Sequence, residues 1–560
     1  MRKQKTSQST PQEPQAQQGE QNTGDTQSVA RRLSSRRKRA PKRRRSSPLA
    51  GLAVIVGRTV GALSRRLHLG GGTSIVGMVA QRVYPDIIKH LASQLEHGSI
   101  IITGTNGKTT TSSFITAILR DGGLRVWHNR EGSNLMRGIA SLLVMHTNPT
   151  GKLRYSGRAI SVLEIDEATI PQAVRVVQPR VAVFTNLFRD QLDRYGEVDA
   201  VIAHWKKALH TLSADTTLIL NADDPALASL GKTFEGKVLY YGIDDLSHDL
   251  LRQDTATEQH QTIDARVCPQ CGSDYVYNAR FYSHMGHYEC PQCGYARPQP
   301  EVSAGHIELE SFDRLRIQVT YAQQQQEIVI PLPGLYNIYN ALAAITASLA
   351  LNMDWEPIVS GIEQSKPVFG RGERIQADGR TIRLLLAKNP TGFNEVLRTL
   401  FSENVPRHVL FVLNDNTADG HDISWIWDVD FERAAGLTRT LVVTGTRALD
   451  LAIRLNYAGI SRQDMLIIPP APLRASREVT GNRGPQHKKR WREKAKMAEL
   501  VSDQQELRVY GLKSALDRAL QQTPEGETLF IVPTYTGLLE VHHELEQRGL
   551  AARYWKGNDA

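Results

Sequence analysis

The chain has 560 residues, enough for about three domains of ordinary size, and its 40% hydrophobic content is that of a soluble protein. No run of 18 or more uncharged apolar residues occurs, so no spanning helix is expected. The net charge of +10 is concentrated at one end: residues 1–48 hold 13 of the 68 Lys/Arg and 3 of the 58 Asp/Glu, leaving 55 of each sign in the rest, which makes no electrostatic case for nucleic-acid binding by the body.

Residues 1–48 are rich in Gln, Ser, Thr, Pro and Arg and nearly free of large apolar residues. They cannot offset their ordering entropy and read as a disordered basic tail. The block 31–45 is either a solvated segment or a contact for anionic lipid or nucleic acid. An amphipathic helix is expected over 49–69, a loop over 70–73 and a helical stretch to about 95. An apolar run at 100–102, the loop TGTNGKTTT and a helical pattern at 112–120 follow. Strands are expected at 159–163, 180–184, 217–220 and 238–241, in the alternation that builds an α/β parallel sheet. A cysteine-bearing segment, 264–300, interrupts the series. Strand-like patches at 314–319 and 327–330 and a helix at 335–351 complete the first part. A second α/β series, with strands at 382–386, 409–413, 441–443, 465–468 and 529–532, occupies the remainder. A polar, basic insert at 474–506 reads as a loop or a surface helix.

Gly104, Thr105, Asn106, Gly107, Lys108, Thr109 and Thr110 form a shortened phosphate loop, G-x-x-G-K-T, between strand and helix. Glycines let backbone N–H groups approach phosphate oxygens, and the following helix aims its positive end at them. Lys108 supplies a cation for the β- and γ-phosphates of ATP, and the Thr109 hydroxyl a ligand for Mg²⁺. Glu164, Asp166 and Glu167 follow one strand, and Asp190 and Asp193 follow the next, at the carboxyl ends where parallel sheets bind ligands. Either acidic group alone reads as a solvated helix start; together, after a phosphate loop, they read as a Mg²⁺ site.

All four cysteines lie in two C-x-x-C knuckles, Cys268/Cys271 and Cys290/Cys293, separated by 18 residues. The spacing is that of a structural zinc ribbon, with disulfides the alternative.

The motifs GTNGKTT (104–110), LEIDE (163–167), TNLFRDQLDRYG (185–196), LNADDP (220–225), GLYNIYNALAA (334–344) and FGRGERI (369–375) resemble, in order, those of the Mur ligase family. The segments LLLAKNPTGFNEVL (384–397), NDNTADGHDISWIWDVDFE (414–432) and VPTYTGLLEVHHEL (532–545) resemble its MurT-like branch. The resemblance implies a Mur-type P-loop domain (49–366) carrying the ribbon insertion, and a C-terminal Rossmann-like α/β domain (367–560). It implies that Lys108 and Thr109 hold ATP phosphates and Mg²⁺, that Glu164 binds Mg²⁺, that Asn337 contacts adenine and that Arg371 reaches the phosphates. Two departures stand out: Gln191 replaces a metal-binding histidine, and LLAKNP (385–390) lacks the acid that contacts ribose in amino-acid-adding members. The implied reaction activates the α-carboxyl of D-glutamate in the lipid II stem peptide as an acyl phosphate and amidates it. A folylpolyglutamate-type amino-acid ligase and a non-catalytic nucleotide-binding protein are the rivals.

Ammonia for such a reaction comes from a glutaminase, whose nucleophile is a cysteine. With every cysteine in the ribbon, that activity is expected in a separate GatD-type partner. The acids Asp415, Asp419, Asp422 and Asp428 offer a partner surface; the resemblance to the MurT-like branch implies that one aspartate of this domain orients the partner's catalytic histidine, Asp422 being preferred, and Trp425 and Trp427 read as core or interface anchors. The expected location is cytoplasmic, at the inner face of the membrane if the tail binds lipid.

Overall fold

The computed structural model describes residues 47–67, 72–129, 133–189, 198–251, 265–367, 369–470 and 510–551. The basic tail before residue 47, the insert at 474–506, and Asp190, Gln191 and Asp193 lie outside these described residues.

The apolar runs form strands buried on both faces, as a parallel sheet covered by helices requires. β1 (Ser99–Thr103), β3 (Ala159–Glu164) and β4 (Val181–Phe184) are buried along their whole length. They join β2 (Arg125–His128), β5 (Thr217–Asn221), β6 (Lys237–Ile243), β9 (Val302–Ser311), β10 (Arg314–Tyr321) and β11 (Gln324–Ile330). The nine-stranded order is β11-β10-β9-β6-β5-β4-β1-β3-β2. β10 pairs antiparallel with both β9 and β11; the other pairings are parallel. β1 stands between β3 and β4, so the chain reverses direction across the sheet there, the place where open α/β sheets bind ligands. The cysteine segment carries a separate antiparallel hairpin, β7 (Val276–Tyr282) and β8 (Met285–Glu289).

A second sheet has the order β12-β13-β17-β14-β15-β16. It comprises β12 (Arg371–Ala377), β13 (Arg380–Leu385), β14 (Arg407–Val412), β15 (Thr438–Thr444), β16 (Leu466–Ile467) and β17 (Thr528–Pro533). All its pairings are parallel except β12 with β13. Its own apolar clusters lie on the two faces, around Phe393, Phe411 and Phe431 on one and Leu410, Ile531 and Leu538 on the other.

The amino-terminal helix forms as α1 (Pro48–Arg66), with Pro48 in its first turn and Arg65 and Arg66 in its last, both suited to the helix dipole. α2 (Gly72–Val83) begins inside the expected loop. The helical stretch to 95 is broken: Pro85 disfavours helical backbone at Tyr84, and α3 restarts at Ile87–Ala92. Five strands escaped the sequence reading altogether: β2, the hairpin β7–β8, β9 and β12; the two patches expected at 314–319 and 327–330 form β10 and β11.

Candidate active site

The phosphate loop leaves β1 and enters α4 (Lys108–Asp121) through Gly107, which caps the helix at φ +82°. A Cβ on Gly107 would stand 2.0 Å from Asn340 Oδ1, so both the backbone region and the space demand glycine. Gly107→Ala is expected to weaken ATP binding at least about tenfold, a loss that nucleotide titration reads directly. The loop is braced by the segment after β4. Thr105 N donates to Asn186 O at 3.0 Å, Asn106 N to Asn186 Oδ1 at 2.8 Å, and the Thr185 hydroxyl to Asn106 O at 2.8 Å.

Lys108 is nearly buried and points back over the loop. Its Nζ donates to Gly104 O, to Thr105 O at 3.3 Å and to Glu167 Oε1 at 2.8 Å. Glu167 is fixed in turn by its backbone carbonyl, which accepts from Trp205 Nε1 at 3.0 Å. Thr109 donates to Glu164 Oε1 at 3.0 Å, and Asn129 holds the backbone of Glu164 through bonds of 2.7 and 2.8 Å. A hydroxyl and a carboxylate so placed are hard oxygen donors of the kind Mg²⁺ takes. Arg371, first residue of β12, brings its Nη2 to 3.2 Å from Thr109 Oγ1, so the second sheet reaches into the phosphate site of the first. Asn106 and Asn389 exchange side-chain amide bonds of 3.3 and 3.1 Å across the same junction, while Asn389 also caps α6 (Pro390–Phe401) by accepting from Gly392 N at 2.8 Å.

Between the two sheets lies a cavity of about 590 Å³. Thr105–Lys108, Thr110, Glu164, Glu167 and Arg371 line one end. Asn134, Leu135 and Arg137, at the start of α5 (Met136–Met145), line a side wall. Lys388, Glu395, Thr417, Ala418 and Tyr535 come from the carboxyl-end loops and helices of the second sheet. Cationic, acidic and backbone N–H groups converge there, which suits a phosphoanhydride next to a second, anionic substrate.

Two predicted residues do not line the cavity, Asn337 and, as a partner surface requires, Asp422. Asn337 is buried, donates to Pro333 O at 2.6 Å and accepts from Asn340 Nδ2 at 2.9 Å; it does not line the cavity, and Asn340, one turn on, does. Asp422 is exposed outside the cavity, accepting from Ser424 N at 2.8 Å. Of its neighbours, Asp415 is tied to Thr446 and to Arg447 at 2.6 Å. Asp419 is buried against Thr536, and that burial pushes its carboxyl up from the usual range. Asp428 is exposed. Sequence reasoning also missed Glu167 as the partner of Lys108; its place in LEIDE was visible, its contact was not.

The two cysteine knuckles repeat one geometry. Gly272 N donates to Cys268 O and Gly294 N to Cys290 O, each at 2.9 Å. The four sulfurs lie within 4.8 Å of one another, with Cys268–Cys293 at 3.6 Å and Cys271–Cys290 at 3.4 Å. Hydrogen bonds from the Ser273 backbone and hydroxyl hold the Cys271 thiol down to about 6.

Comparison with known proteins agrees with this geometry. Residues 102–281 match the family model for the Mur ligase middle domain, and residues 386–483 that for the MurT ligase C-terminal domain. The fold resembles a pseudomurein peptide ligase type C from Methanothermus fervidus (TM-score 0.55, 23% identity, 83% of this chain and 81% of that one). It also resembles MurF from Acinetobacter baumannii (TM-score 0.52, 16% identity, 84% and 80%). Fold and phosphate site together define an ATP-dependent ligase of the Mur type. The subunit MurT of lipid II isoglutaminyl synthase (glutamine-hydrolyzing) from Staphylococcus aureus strain COL is 36% identical over 392 residues, 70% of this chain and 84% of that protein. Its counterpart from Streptococcus pneumoniae R6 is 33% identical over 409 residues, 73% and 87%. The chain belongs to the MurT family.

Proposed function

We propose that this chain is the synthetase subunit of a complex that amidates lipid II. It activates the α-carboxyl of D-glutamate in the stem peptide with ATP and converts it to D-isoglutamine with ammonia from a GatD-type glutaminase. The observation that carries the reading is the convergence of Lys108, Glu164 and Arg371 on one end of the cavity, in a chain 36% identical to a subunit named for that reaction.

A carboxylate does not accept an amine directly, because oxide is a poor leaving group. In the first step a carboxylate oxygen of the acceptor attacks the γ-phosphorus of ATP, the bond from that phosphorus to ADP breaks, and an acyl phosphate forms. Lys108 exchanges Glu167 for the β/γ-phosphates, and Arg371 supplies a second cation to the same end of the cavity from the second sheet; positioning and charge neutralisation are the main catalytic terms in such transfers. Mg²⁺ neutralises phosphate charge when bound, and Thr109 and Glu164 are the residues that would hold it. Ammonia then attacks the carbonyl carbon, loses a proton, and inorganic phosphate leaves. Ammonia is a nucleophile only when unprotonated, which favours its release beside the acyl phosphate by a docked glutaminase. Within this reading, 49–366 is the P-loop domain with a zinc ribbon at 264–300, and 367–560 is a Rossmann-like domain that closes on the nucleotide and carries the partner surface. The sulfur separations support zinc: tetrahedral Zn–S bonds of about 2.3 Å put sulfurs roughly 3.8 Å apart.

The test is to incubate the purified chain and its glutaminase with lipid II, ATP and glutamine and to weigh the product. Exchange of one oxygen for NH is expected; addition of an amino acid instead would establish the rival amino-acid ligase. Asp422→Asn is expected to lower glutamine-driven amidation at least about tenfold while sparing the reaction driven by ammonium salt, because an acid that fixes a histidine's tautomer serves the glutaminase alone. Equal loss in both assays would remove Asp422 from that role.

A further inference from the structure

We propose that the outward face of α1 is a docking surface for an anionic lipid bilayer, on which the protein lies flat. The helix is amphipathic in an inverted sense. Its inward stripe is made of small residues, Ala50, Ala53, Gly57, Gly61 and Ser64, with Val54 the largest. A Cβ on Gly57 would come within 2.8 Å of Val76 O, so the small stripe is what lets α1 lie close against α2. The large apolar side chains point away from the protein: Leu49, Leu52, Ile55, Leu63 and Leu67 are 53, 50, 48, 56 and 57% exposed. A helix that packs only on its own protein does the reverse.

These five residues fall at spacings of three, four and eight, which on a helix of 3.6 residues per turn places them on one side. Thr59, within the same arc, spends its hydroxyl on Ile55 O at 2.9 Å, and the arc carries a charge only at its end, at Arg66. Met78 of α2 is exposed as well.

Charge chooses the occupant. Arg65 and Arg66 are exposed at the end of the helix, and residues 31–45, just before it, hold ten Lys/Arg and no Asp/Glu. An apolar helix face joined to a polybasic segment is the two-part signal of interfacial binding to anionic lipid. A second copy of the chain would bring the same cations to the same face and be repelled. Among the described residues no helix is long and apolar enough to cross a membrane, so the contact is interfacial.

The face is coupled to the cavity. Arg58 donates to Val144 O at 2.9 Å, Met145 O at 2.6 Å and Thr147 O, pinning α1 to the end of α5. Gly77 N of α2 donates to Ser141 Oγ in the middle of α5 at 2.7 Å. The start of α5 lines the cavity wall, so a bilayer held by α1 would sit in fixed relation to the site. The value of that fixed relation rests on the lipid-linked acceptor proposed above; the lipid contact itself does not.

Sedimentation of the full chain with vesicles of phosphatidylglycerol and phosphatidylcholine, and of phosphatidylcholine alone, tests the proposal. The wild type is expected to bind the anionic vesicles and lose that binding in high salt. The double variant Leu52→Glu/Leu63→Glu is expected to bind about tenfold more weakly or less, and Arg43→Gln/Arg44→Gln/Arg45→Gln several-fold more weakly. Both should keep the wild-type melting temperature and ATP affinity. Lys108→Ala should bind vesicles as the wild type does, which separates this proposal from the fate of the ligase reading. Undiminished vesicle binding by Leu52→Glu/Leu63→Glu would overturn it, as would a wild type that ignores phosphatidylglycerol. So would a wild-type dimer that the double variant splits with no change in lipid binding, since the face would then belong to a second copy.

Discussion

Lys108→Ala is expected to lower amidation by about three orders of magnitude, in line with the removal of a cation that meets developing phosphoryl charge in a water-poor site. The variant has a second consequence that follows from the resting geometry. Lys108 and Glu167 are a pair at 2.8 Å, with side chains 10% and 9% exposed. Deleting the lysine leaves the carboxylate facing the cavity without its cation, at a cost of about 1–2 kcal/mol after allowance for solvent in the cavity. Part of any activity loss would then be blamed on folding. The double variant Lys108→Ala/Glu167→Gln removes that ambiguity. It should recover the melting temperature and leave turnover as low as in the single variant. Recovery of turnover together with stability would mean that the lysine acts only as a structural counter-ion, and the phosphate site would have to be sought elsewhere.

How far this site could be read in advance follows from the range of the forces involved. The loop Gly104–Thr110 is local: strand, glycines, Lys-Thr and helix are contiguous, and each residue's role is set by neighbours a few positions away. The parallel strands were equally legible, because burial on both faces requires uninterrupted apolar runs such as Ile100–Ile102 and Val409–Leu413. β7, with Arg280 and Asn278 among its aromatics, and β12, with Glu373 and Arg374 in alternation, carry no such run. They are held by a hairpin or by an edge pairing, and periodicity alone did not separate them from loop. The asparagines of GLYNIYNALAA are three apart and share a helical face. The family resemblance pointed to Asn337, whereas in the structure it is Asn340 that borders the cavity while Asn337 braces Pro333 and Asn340. The reach of Arg371 to Thr109, the exchange between Asn106 and Asn389, and the grip of Glu167 on Lys108 span 262, 283 and 59 residues. Such contacts depend on how the two sheets meet, which no local pattern encodes. The inverted α1 is a different case: the amphipathic period was plain, but which arc faces the protein was decided by the close approach to α2.

Replacing Cys290, the most deeply buried of the four cysteines, with serine is expected to reduce bound zinc from about one ion per chain to near zero and to expose the knuckles to protease. The energetic case is that the knuckle end of the insert has little else to hold it. Its apolar cluster consists of Ala228, Tyr275, Tyr288, Tyr295 and the buried cysteines themselves, whereas a structural zinc contributes on the order of 10–16 kcal/mol of apparent binding energy at neutral pH. The other end of the hairpin is anchored independently. Ala279, Phe281, Tyr282 and Met285 belong to the main core, Gly286 N donates to Asp223 O at 3.0 Å, and Arg398 donates to Phe281 O at 2.5 Å. Tyr282, at that end, lines the cavity. Loss of metal should therefore fray the segment from Val267 to Tyr277 and from Glu289 to Gly294, while the Tyr282 end and Arg297, paired with the buried Asp223, stay in place, so ATP turnover should fall less than about tenfold. Metal analysis, limited proteolysis and turnover on one sample separate the possibilities. Abolished turnover with an intact insert would make the ion catalytic. Thiols that resist alkylation until reduced would replace the ion with two disulfides. Unchanged resistance to protease in the zinc-free variant would mean that the tyrosine cluster alone holds the insert together.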